Sequence, residues 1–525
     1  MNPISLGIEF STQSVKLIGF DVTRKEVIFK DKFEYDNLFP SYHTSGGVLP
    51  CKDEKVKHTS PSMLIESLDL AFTRLLENKI PVKDIKAIKL DAMQHCTVYL
   101  DSEFSSILSG LSVTKTLLEQ IRPALTRNSI PIWEDRSTLD QVSILDRITS
   151  GKVARITGNA AEMRFPAAQI LKWAVQDPEA YKNTSHIFLL SAFLTSILIG
   201  RPAPVDTGDG WGSNLNALDI DHPSWNSEVL KAIDEYLGHK GIRSNLAQKI
   251  GAMAHYDEVL GRISSYFSEK YGLDDECVVL TGTGDNPATL LGCGGGKVIS
   301  LGSSFTVNGI MNRIIPSKKR EYNIFGYTRG KVMALSCFTN GTKLHDHFKQ
   351  KYCGVHGKWD EYRNMAGNIE LEKNERLMLP YLMDESVPVA KKGIVRDGFD
   401  EKDGSINIRS LHISQVLSLK LHCRHLESKG SLCIVGGGSK NPFLRQMITD
   451  IFKTNSYTIK HPDLAAVFGC AISGARFLLD ISYEKATEQF IHIDASSILK
   501  PSGQNQKVIP ALLERYQRLE LRNHR

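Results

Sequence analysis

Two apolar segments joined by a short polar turn occur near the N-terminus and again in the second half of the chain. This repeated pattern constrains the fold more than any other feature. Each segment is short, rich in β-branched or aromatic residues and bounded by Ser, Thr or Gly, which predicts two antiparallel strands joined by a tight turn. The first copy is Ser5 to Phe10, the turn Ser11 to Ser14, and Val15 to Asp21, extended by Val27 to Phe33; the second is Val298 to Leu301, the turn Gly302 to Ser304, and Phe305 to Gly309.

The length supports two structural units. A chain of 525 residues exceeds what one hydrophobic core usually organises, so two domains of roughly 200 to 280 residues are expected. The strand pattern restarts at Cys277, which predicts domains at residues 1–276 and 277–525 with a cleft between them. The tripeptide Ser-Leu-Gly, at Ser5 and again at Ser300, favours an internal duplication, with coincidence as the alternative.

Helical patterns alternate with the predicted strands, which indicates an α/β fold. An amphipathic helix is predicted over Pro61 to Glu77, because its apolar residues fall on one face. A buried strand, Ile85 to Leu90, follows and leads into Gln94-His95. Another helix is predicted from Pro287. The apolar spacing from Ala511 to Leu519 predicts a terminal helix that packs on one domain or back across both.

Composition and charge argue against several classes of function. The hydrophobic and charged fractions, 41% and 23%, are those of a globular protein. A net charge of +5 is weak, and no basic stripe is interleaved with aromatics, so nucleic acid is not expected as a partner. The nine cysteines include no CxxC pair, which disfavours zinc or disulfide frameworks. The apolar run near Ile187 to Ile199 is too short to cross a bilayer and the N-terminus has no signal pattern, so we expect a cytoplasmic protein without a membrane partner.

The two predicted turns are candidate phosphate-binding sites. Successive backbone N–H groups and hydroxyls in a tight turn form a small concavity that suits phosphate oxygens. Ser11 and Thr12 would line the first turn, and Gly302, Ser303 and Ser304 the second. A plain hairpin explains either turn alone, because Ser and Gly favour turns for backbone reasons. The pairing across the two halves favours phosphate binding.

A glycine-rich loop is a third candidate site. Cys433 to Val435 predicts a strand, Gly436-Gly437-Gly438 follow, and a helix with one buried stripe begins near Pro442. Glycines at this place let a flat or anionic ligand approach the backbone and the helix N-terminus. The loop is neither a GxGxxG fingerprint nor a Walker A loop, since Lys440 is not followed by Ser or Thr. The alternative is a tight strand-to-helix turn without a ligand.

Asp285 is the candidate general base. It follows Thr281-Gly282-Thr283-Gly284 and precedes Asn286-Pro287, at the mouth of a strand and the start of a helix. A hydroxyl that attacks a phosphoryl group needs a carboxylate within hydrogen-bond reach to accept its proton. The alternative role for Asp285 is a helix N-cap. Gln94 and His95 end a buried strand, where they could bind sugar hydroxyls; a structural histidine is the alternative.

Taken in order, these stretches resemble the FGGY carbohydrate kinase family from the first strand to the last helix. Each motif is common, and the ordered set is specific. The motifs are Phe10-Ser11-Thr12-Gln13 with Val15-Lys16, Gln94-His95, Trp133-Glu134-Asp135, Thr157-Gly158 with Arg164-Phe165, Asp206 to Gly212, Gly284-Asp285-Asn286-Pro287-Ala288, Ser300 to Ser304, Asn340-Gly341, and Gly436 to Ser439 with Asn441. The resemblance implies two actin-like (ribonuclease H-like) domains flanking a deep catalytic cleft.

The resemblance also implies an activity and the residues that carry it. The implied reaction is transfer of the γ-phosphoryl group of ATP to the C5 hydroxyl of D-xylulose, with Mg²⁺ as cofactor, feeding the pentose phosphate pathway. Asp285 would be the general base, and Glu9 and Asp285 would place the metal. The residues implied to hold the open-chain sugar are Gln94, His95, Arg164, Asp285 and Asn286. Those implied to contact the nucleotide are Ser11, Thr12, Lys16, Gly302, Ser303, Ser304, Trp359, Gly437, Gly438 and Asn441.

Three residues depart from the family pattern. Glu9 stands where the family has an aspartate, Cys96 where a glycine follows the Gln-His pair, and Ser303 where threonine is usual. The longer carboxylate of Glu9 affects metal placement, because Mg²⁺ tolerates misplaced ligands poorly. The open alternatives are a kinase of another ketose or polyol (ribulose, L-xylulose, glycerol) and a non-catalytic sugar or nucleotide sensor. A third is a structural or chaperone-like member of the wider actin-like superfamily. A monomer or homodimer is expected.

Overall fold

Two mixed β-sheets, one in each half of the chain, organise the computed structural model, which describes residues 2–311, 313–317, 319–328, 330–426 and 430–523. The strands of the first half are β1 (Ile4–Phe10), β2 (Ser14–Asp21), β3 (Glu26–Glu34), β4 (His58–Thr59), β5 (Ile85–Ala92), β6 (Thr97–Leu100), β7 (Ile130–Pro131), β8 (His186–Leu189), β9 (Val205–Asp206), β10 (Met253–Ala254), β11 (Val259–Arg262), β12 (Val278–Leu280) and β13 (Thr283–Gly284). Those of the second half are β14 (Lys297–Leu301), β15 (Phe305–Met311), β16 (Asn323–Gly326), β17 (Val332–Phe338), β18 (Met378–Tyr381), β19 (Gly393–Arg396), β20 (Leu432–Val435) and β21 (Ser456–Tyr457).

Helices cover these sheets. Those of the first half are α1 (Tyr35–Leu38), α2 (Pro61–Glu77), α3 (Phe104–Ser109), α4 (Leu117–Ile121), α5 (Leu139–Ile148), α6 (Val153–Thr157), α7 (Pro166–Gln176), α8 (Pro178–Asn183), α9 (Leu190–Ile199), α10 (Thr207–Gly210), α11 (Ser227–His239), α12 (Leu246–Lys249), α13 (Ser265–Tyr271) and α14 (Asp285–Gly292). Those of the second half are α15 (Thr342–Cys353), α16 (Trp359–Met365), α17 (Gly404–His422), α18 (Pro442–Phe452), α19 (Ala465–Leu479), α20 (Tyr483–Phe490) and α21 (Ile509–Asn523).

The first sheet has the order β11-β12-β5-β1-β2-β3, with β13 also paired to β5. The predicted meander is confirmed, since β1, β2 and β3 pair antiparallel in sequence. β5 joins β1 in parallel, and β12 joins β5 in parallel. This arrangement places the carboxyl ends of β1, β5 and β12 at one edge of the sheet.

The second sheet repeats the same plan with the order β16-β17-β15-β14-β20-β21. β14 and β15 form the antiparallel pair, and β20 and β21 extend the sheet in parallel. The predicted duplication of the strand–turn–strand unit is therefore seen in the fold. The repeated tripeptide is out of register, however, because Ser5 lies near the start of β1 whereas Ser300 lies near the end of β14.

Helix α19, from the second half of the chain, packs against β1 and β5 of the first sheet and against α14. A Cβ on Gly7 would collide with the carbonyl oxygen of Val467, so glycine in β1 permits this close approach. Among the described residues, Pro462–Leu479 is the one helical stretch long and apolar enough to cross a membrane, and 67% of it is buried in the protein. The apolar run near Ile187 forms β8 and the buried helix α9.

The predicted boundary between residues 276 and 277 stays a prediction. Strands β12 and β13, which follow it, hydrogen bond to β5 of the first sheet. The two halves also meet where α10 lies beside β16. Across this junction the Asn159 Nδ2 donates to the Ile324 carbonyl oxygen at 2.8 Å. The predicted terminal helix is α21, which packs on α17 and β18.

Candidate active site

Three carboxylates are placed near one another by the register of the first sheet. In the parallel pair of β1 and β5, Glu9 is opposite Asp91. Because Thr283 of β13 is also opposite Asp91, Asp285 follows just beyond the same edge. On the other side of β1, Lys16 of β2 is opposite Glu9, and its Nζ lies 2.8 Å from the Glu9 Oε1. The site therefore combines three acids with one lysine.

Burial shifts the titration of this cluster. Burial first, and the charge of Glu9 second, raise the pKa of Asp285 to about 7. Burial raises the pKa of Glu9 above its ordinary value, although Lys16 opposes the shift. Burial and the charge of Glu9 raise the pKa of Asp91 well above its usual range. A carboxyl group that titrates near neutrality is suited to accept a proton at physiological pH.

Asp285 is the first residue of α14, and Gly284 occupies the N-cap position. The interpretation of Asp285 as the N-cap is therefore wrong, because the helix starts two residues before the predicted Pro287. The backbone N–H groups of Gln94 and Asn286 lie close to the Asp285 carboxylate and oppose the rise of its pKa. The Asn286 Nδ2 donates to the Asp285 Oδ1 at 3.0 Å. This donor orients the carboxylate.

The side-chain amide of Gln94 is committed to protein contacts. Its Nε2 donates to the Gly208 carbonyl oxygen at 2.9 Å, and its Oε1 accepts from the Asn286 Nδ2 at 2.7 Å. A Cβ on Gly284 would lie 2.6 Å from the Gln94 Nε2, so only glycine leaves room for this amide. Gln94 thus orients Asn286, and its direct contact with a sugar stays a prediction.

His95 adopts a left-handed backbone conformation with φ 72°, which is uncommon for a residue other than glycine. Its Nδ1 donates to the Gly212 carbonyl oxygen at 2.8 Å, because a carbonyl can only accept. The ring centroid lies 4.6 Å from that of Phe165. Burial, followed by the charge of Arg164, lowers the pKa of His95 to about 3. The imidazole is therefore neutral, with Nε2 as an acceptor for a hydroxyl.

Arg164 lies near His95, since its charge contributes to the lowered pKa of the imidazole. It directly precedes Phe165, whose ring covers His95, and the start of α7. Its Nε is buried and has no hydrogen-bond partner in the described part of the chain, so the guanidinium retains a donor for a ligand. The structure thus brings together Arg164, His95, Asn286 and Asp285, the predicted sugar-binding residues.

Sequence reasoning missed three further acids, Asp91, Asp206 and Asp209. Asp206 caps α10 by accepting from the Asp209 N–H at 2.8 Å, and burial raises the pKa of Asp206 to about 6. The Asp209 Oδ2 accepts from the Ser191 hydroxyl at 2.6 Å, while its Oδ1 is buried without a partner among the described residues. Two signals in the sequence could have found them. Asp91 is a carboxylate at the end of an apolar strand, and Asp206 and Asp209 both belong to the motif that begins at Asp206.

The first predicted phosphate turn joins β1 to β2. The Ser11 N–H and hydroxyl both donate to the Ser14 carbonyl oxygen, at 3.0 and 2.8 Å. The Thr12 hydroxyl accepts from the Trp133 Nε1 at 3.0 Å. The Lys16 Nζ donates to Glu9 and to the Asp463 carbonyl oxygen. Ser11 is thus used to close the hairpin, and Lys16 lies between the turn and the carboxylates.

The second predicted phosphate turn joins β14 to β15 and is supported from behind. The Gly341 N–H donates to the Ser303 carbonyl oxygen at 3.1 Å, and the Thr342 N–H donates to that of Gly302 at 2.9 Å. Ser303 itself is exposed and Ser304 is half-buried. The backbone of the turn is therefore fixed while the Ser303 hydroxyl faces solvent.

The glycine-rich loop lies directly against the second phosphate turn. Gly436 has φ 85°, and a Cβ there would lie 2.8 Å from the backbone of Leu301. A Cβ on Gly438 would meet the Leu301 Cβ at the same distance, whereas one on Gly437 would meet nothing within 4 Å. Because Leu301 directly precedes Gly302, the two loops form one continuous surface. Gly437 is the open position in it.

The two remaining predicted nucleotide residues differ in placement. Asn441 caps α18 through its Oδ1, which accepts from the Leu444 N–H at 3.3 Å. Its Nδ2 lies 2.8 Å from the His412 Nε2. Trp359 starts α16, is 43% exposed, and stands edge-on to Tyr362 at 5.6 Å. Trp359 is linked to the glycine-rich loop indirectly, through Tyr362 and His412, and its contact with a nucleotide stays a prediction.

Cys96, which departs from the family pattern, is fully buried in the hydrophobic core of the first half. Its thiol therefore packs inward. The positive φ that a glycine would suit occurs one residue earlier, at His95.

Comparison with known proteins identifies the family. The model of the FGGY family of carbohydrate kinases, N-terminal domain, matches residues 4–292. A xylulose kinase from Rattus norvegicus is 29% identical over 98% of this chain and 96% of its own length. One from Saccharomyces cerevisiae is 32% identical over 76% of this chain and 68% of its own length.

Solved structures share the fold. A xylulose kinase from Rhodospirillum rubrum superposes with a TM-score of 0.82 at 15% identity and 99% coverage of both chains. A gluconate kinase from Lactobacillus acidophilus gives a TM-score of 0.81 at 16% identity, over 99% of this chain and 98% of its own. The predicted architecture of two actin-like domains around a cleft is confirmed. The chain belongs to the FGGY family of carbohydrate kinases.

Proposed function

We propose that the protein transfers the γ-phosphoryl group of ATP to the C5 hydroxyl of D-xylulose, giving D-xylulose 5-phosphate. One observation carries the proposal. The Asp285 carboxylate, with its pKa raised to about 7, accepts from the Asn286 Nδ2, which also donates to Gln94, the neighbour of His95. We take D-xylulose as the substrate because relatives from rat and yeast, aligned over most of their length, are named xylulose kinases.

The sugar side of the reaction follows from the contacts of the first half. Asp285 would accept the proton of the attacking hydroxyl, since burial raises its pKa to about 7 and the Asn286 amide orients it. Asn286 would hold a neighbouring hydroxyl, because Gln94 fixes its amide. His95 would accept a hydroxyl through Nε2, and Arg164 would donate to a sugar oxygen. These fixed contacts would align the hydroxyl for in-line attack.

The nucleotide side would be formed by the second turn and the glycine-rich loop. Backbone N–H groups of Gly302 to Ser304 would face the phosphates, since the carbonyl oxygens of Gly302 and Ser303 are already bonded from behind. The open position at Gly437 would leave room for the nucleoside. The Thr12 hydroxyl in the first turn, and Lys16 on β2 just after it, would bind the transferred phosphoryl group. The proposed division assigns residues 1–276 mainly to the sugar and 277–525 mainly to ATP, except that Asp285 and Asn286 belong to the sugar site.

The carboxylates at the first turn fit Mg²⁺. The Glu9 Oε2 and the Asp91 Oδ1 are buried without a hydrogen-bond partner in the part of the chain that the structure describes, and such oxygens need compensation. Among the described residues, no group of three or more His, Cys, Asp or Glu side chains is placed to hold a metal ion. This suits Mg²⁺, which keeps several waters and binds through one or two carboxylates. Glu9, with Asp91 or Asp285, would hold the ion, which would neutralise phosphate charge when bound.

We further propose that the enzyme works in the cytoplasm as a monomer or homodimer. All nine cysteines are free thiols, and most are buried. This is the state expected in a reducing compartment.

A panel of acceptors tests the proposal. Purified protein, ATP and varied Mg²⁺ are assayed for ADP release with D-xylulose, L-xylulose, ribulose, glycerol and gluconate. D-xylulose should give the largest kcat/KM, and activity should require Mg²⁺. Preference for another acceptor would overturn the substrate claim. ADP release no faster than in the Asp285→Ala variant would instead indicate a non-catalytic sensor.

A further inference from the structure

A row of polar side chains crosses the apolar core of the second half. His345 on α15, Tyr362 on α16, and His412 and Gln415 on α17 are each less than 7% exposed. The row lies beside the hydrophobic cluster of the second half, to which Tyr362 itself belongs. Buried polar groups are costly unless every donor and acceptor is paired, so the pairing of this row has to be specific.

One end of the row contacts the second phosphate turn. The Gln415 Nε2 donates to the carbonyl oxygens of Asn340 and Gly341, at 3.0 and 3.3 Å. The same Gly341 donates its N–H to the Ser303 carbonyl oxygen at 3.1 Å, and a Cβ there would lie 2.6 Å from that oxygen. Gln415 is thus one residue removed from the phosphate turn. A shift of the turn has to move Gly341, and with it Gln415.

The hydrogen bonds of this end run in one direction. The Gln415 Oε1 is an acceptor, so the His345 Nε2, at 2.8 Å, must be the donor. The His345 Nδ1 is then the acceptor, and the Tyr362 hydroxyl donates to it at 2.9 Å. Gln415 cannot turn its amide over without placing two donors or two acceptors face to face.

The other end of the row contacts the glycine-rich loop. The Asn441 Nδ2 donates to the His412 Nε2 at 2.8 Å, and the His412 Nδ1 donates to the Ile408 carbonyl oxygen at 2.7 Å. Asn441 also caps α18 at the end of the loop. Burial lowers the pKa of His412 to about 4, in accord with a neutral ring that accepts at Nε2. The orientation of the Asn441 amide is therefore set by His412.

The two ends touch in the middle of the core. The rings of His345 and His412 are 4.6 Å apart, centroid to centroid, and nearly perpendicular at 70°. The ring of Tyr362 lies 5.7 Å from that of His412. Because protein cores are close-packed, displacement of one imidazole has to be accommodated by the other.

We propose that Gln415, His345 and His412 are positioning residues that couple the second phosphate turn to the glycine-rich loop, so that occupancy of one loop by the nucleotide sets the geometry of the other. The inference rests on the proposed binding of ATP at these loops. It assigns the coupling to side chains that touch neither phosphate nor base.

Binding of adenosine and of ADP to the Gln415→Met variant tests the coupling. Methionine keeps the volume of Gln415 but removes its hydrogen bonds at the phosphate-turn end. Adenosine lacks phosphates and reports on the glycine-rich loop. If the ends are coupled, calorimetric titration should show that adenosine as well as ADP binds about threefold to tenfold more weakly than to the wild type. Unchanged adenosine affinity with weakened ADP binding would overturn the proposal.

Ser414→Ala is the matched control. Ser414 lies next to Gln415 on α17, and its hydroxyl accepts from the Met378 N–H at 2.9 Å. This variant should lower the melting temperature and leave adenosine affinity unchanged; an equal loss of affinity would show that loosening α17 suffices, against the proposal. If Gln415→Met does not fold, His345→Phe carries the same prediction. This substitution keeps an aromatic ring at position 345 and removes the hydrogen bonds to Gln415 and Tyr362.

The test separates the coupling from the proposed function. A wild type that binds adenosine and ADP but does not phosphorylate D-xylulose would refute the function and leave the coupling measurable. A wild type that binds neither ligand would refute the coupling.

Discussion

The two strand–turn–strand units place different side chains at equivalent positions. In the first unit, Glu9 on β1 is opposite Lys16 on β2. In the second, Ser300 on β14 is opposite Thr306 on β15. Both pairs lie one step before the residues that lead into the turn. The first unit therefore carries a partly buried ion pair at the site where the second carries two hydroxyls.

The turns also differ in what supports them. The first is closed by its own Ser11 hydroxyl and borders the carboxylates. The second is supported by the N–H groups of Gly341 and Thr342 and borders the glycine-rich loop. The first unit thus presents charged side chains, whereas the second holds its turn in position against the glycine-rich loop.

The largest effect is expected from removing the negative charge of Asp285, which lies beside the first unit. Asp285→Asn keeps the shape of the side chain but cannot accept the proton. We expect kcat to fall by about 100-fold to 10,000-fold, measured by ADP release with saturating D-xylulose. ATP affinity in the same variant should stay close to that of the wild type. A fall of less than about tenfold would remove Asp285 from the chemistry.

Substitutions at the equivalent positions, Glu9→Gln and Ser300→Ala, test the comparison itself. Glu9→Gln removes the charge that pairs with Lys16 and faces Asp91. It should lower kcat about tenfold to 100-fold and raise the Mg²⁺ concentration needed for half-maximal rate. Ser300→Ala should leave both quantities near the wild-type values. Equal effects of the two substitutions would contradict the division of labour between the units.

The pH dependence of kcat/KM should reflect Asp285. Because its pKa is raised to about 7 and its ionised form accepts the proton, activity should fall about tenfold per pH unit below that value. His95, with a pKa of about 3, stays neutral over this range. In Glu9→Gln the midpoint should move lower, since the Glu9 charge contributes to the shift. A midpoint near 4 in the wild type would contradict this electrostatic account.

The smallest effects are expected from two glycines that lie beside the second unit, Gly341 and Gly437. A Cβ on Gly341 would lie 2.6 Å from the Ser303 carbonyl oxygen, so Gly341→Ala should cost about 1–3 kcal/mol of stability and raise the KM for ATP. Gly437→Ala meets nothing within 4 Å and should change stability by less than about 0.5 kcal/mol. It should still raise the KM for ATP, because its methyl group would occupy the proposed nucleotide space. Chemical denaturation and initial rates measure both.

Local patterns in the sequence predicted the elements that frame the site. The helix over Pro61–Glu77 has the predicted bounds, and the strands of the first meander agree within one residue at their ends. These elements have clear periodicity, and polar turn residues bound them. The glycine-rich loop was also found, because three glycines between a strand and a helix are a local signal.

Contacts between distant segments could not be predicted in this way. Asp91 joins the site because β5 pairs in parallel with β1, which precedes it by about 80 residues, and no local pattern encodes that register. The packing of α19 on β1 depends on Gly7, which resembles any strand glycine in the sequence. His345 and His412 lie within otherwise ordinary helices, and only their three-dimensional contacts pair them.

The most direct test of the central claim is the identity of the phosphorylated product. The wild type and Asp285→Asn are incubated with ATP, Mg²⁺ and D-xylulose, and the products are examined by ³¹P–¹H correlation NMR. The account predicts that the wild type forms a phosphomonoester at C5 and that Asp285→Asn forms almost none in the same time. Phosphate on another carbon, free phosphate alone, or equal product from the two proteins would contradict it.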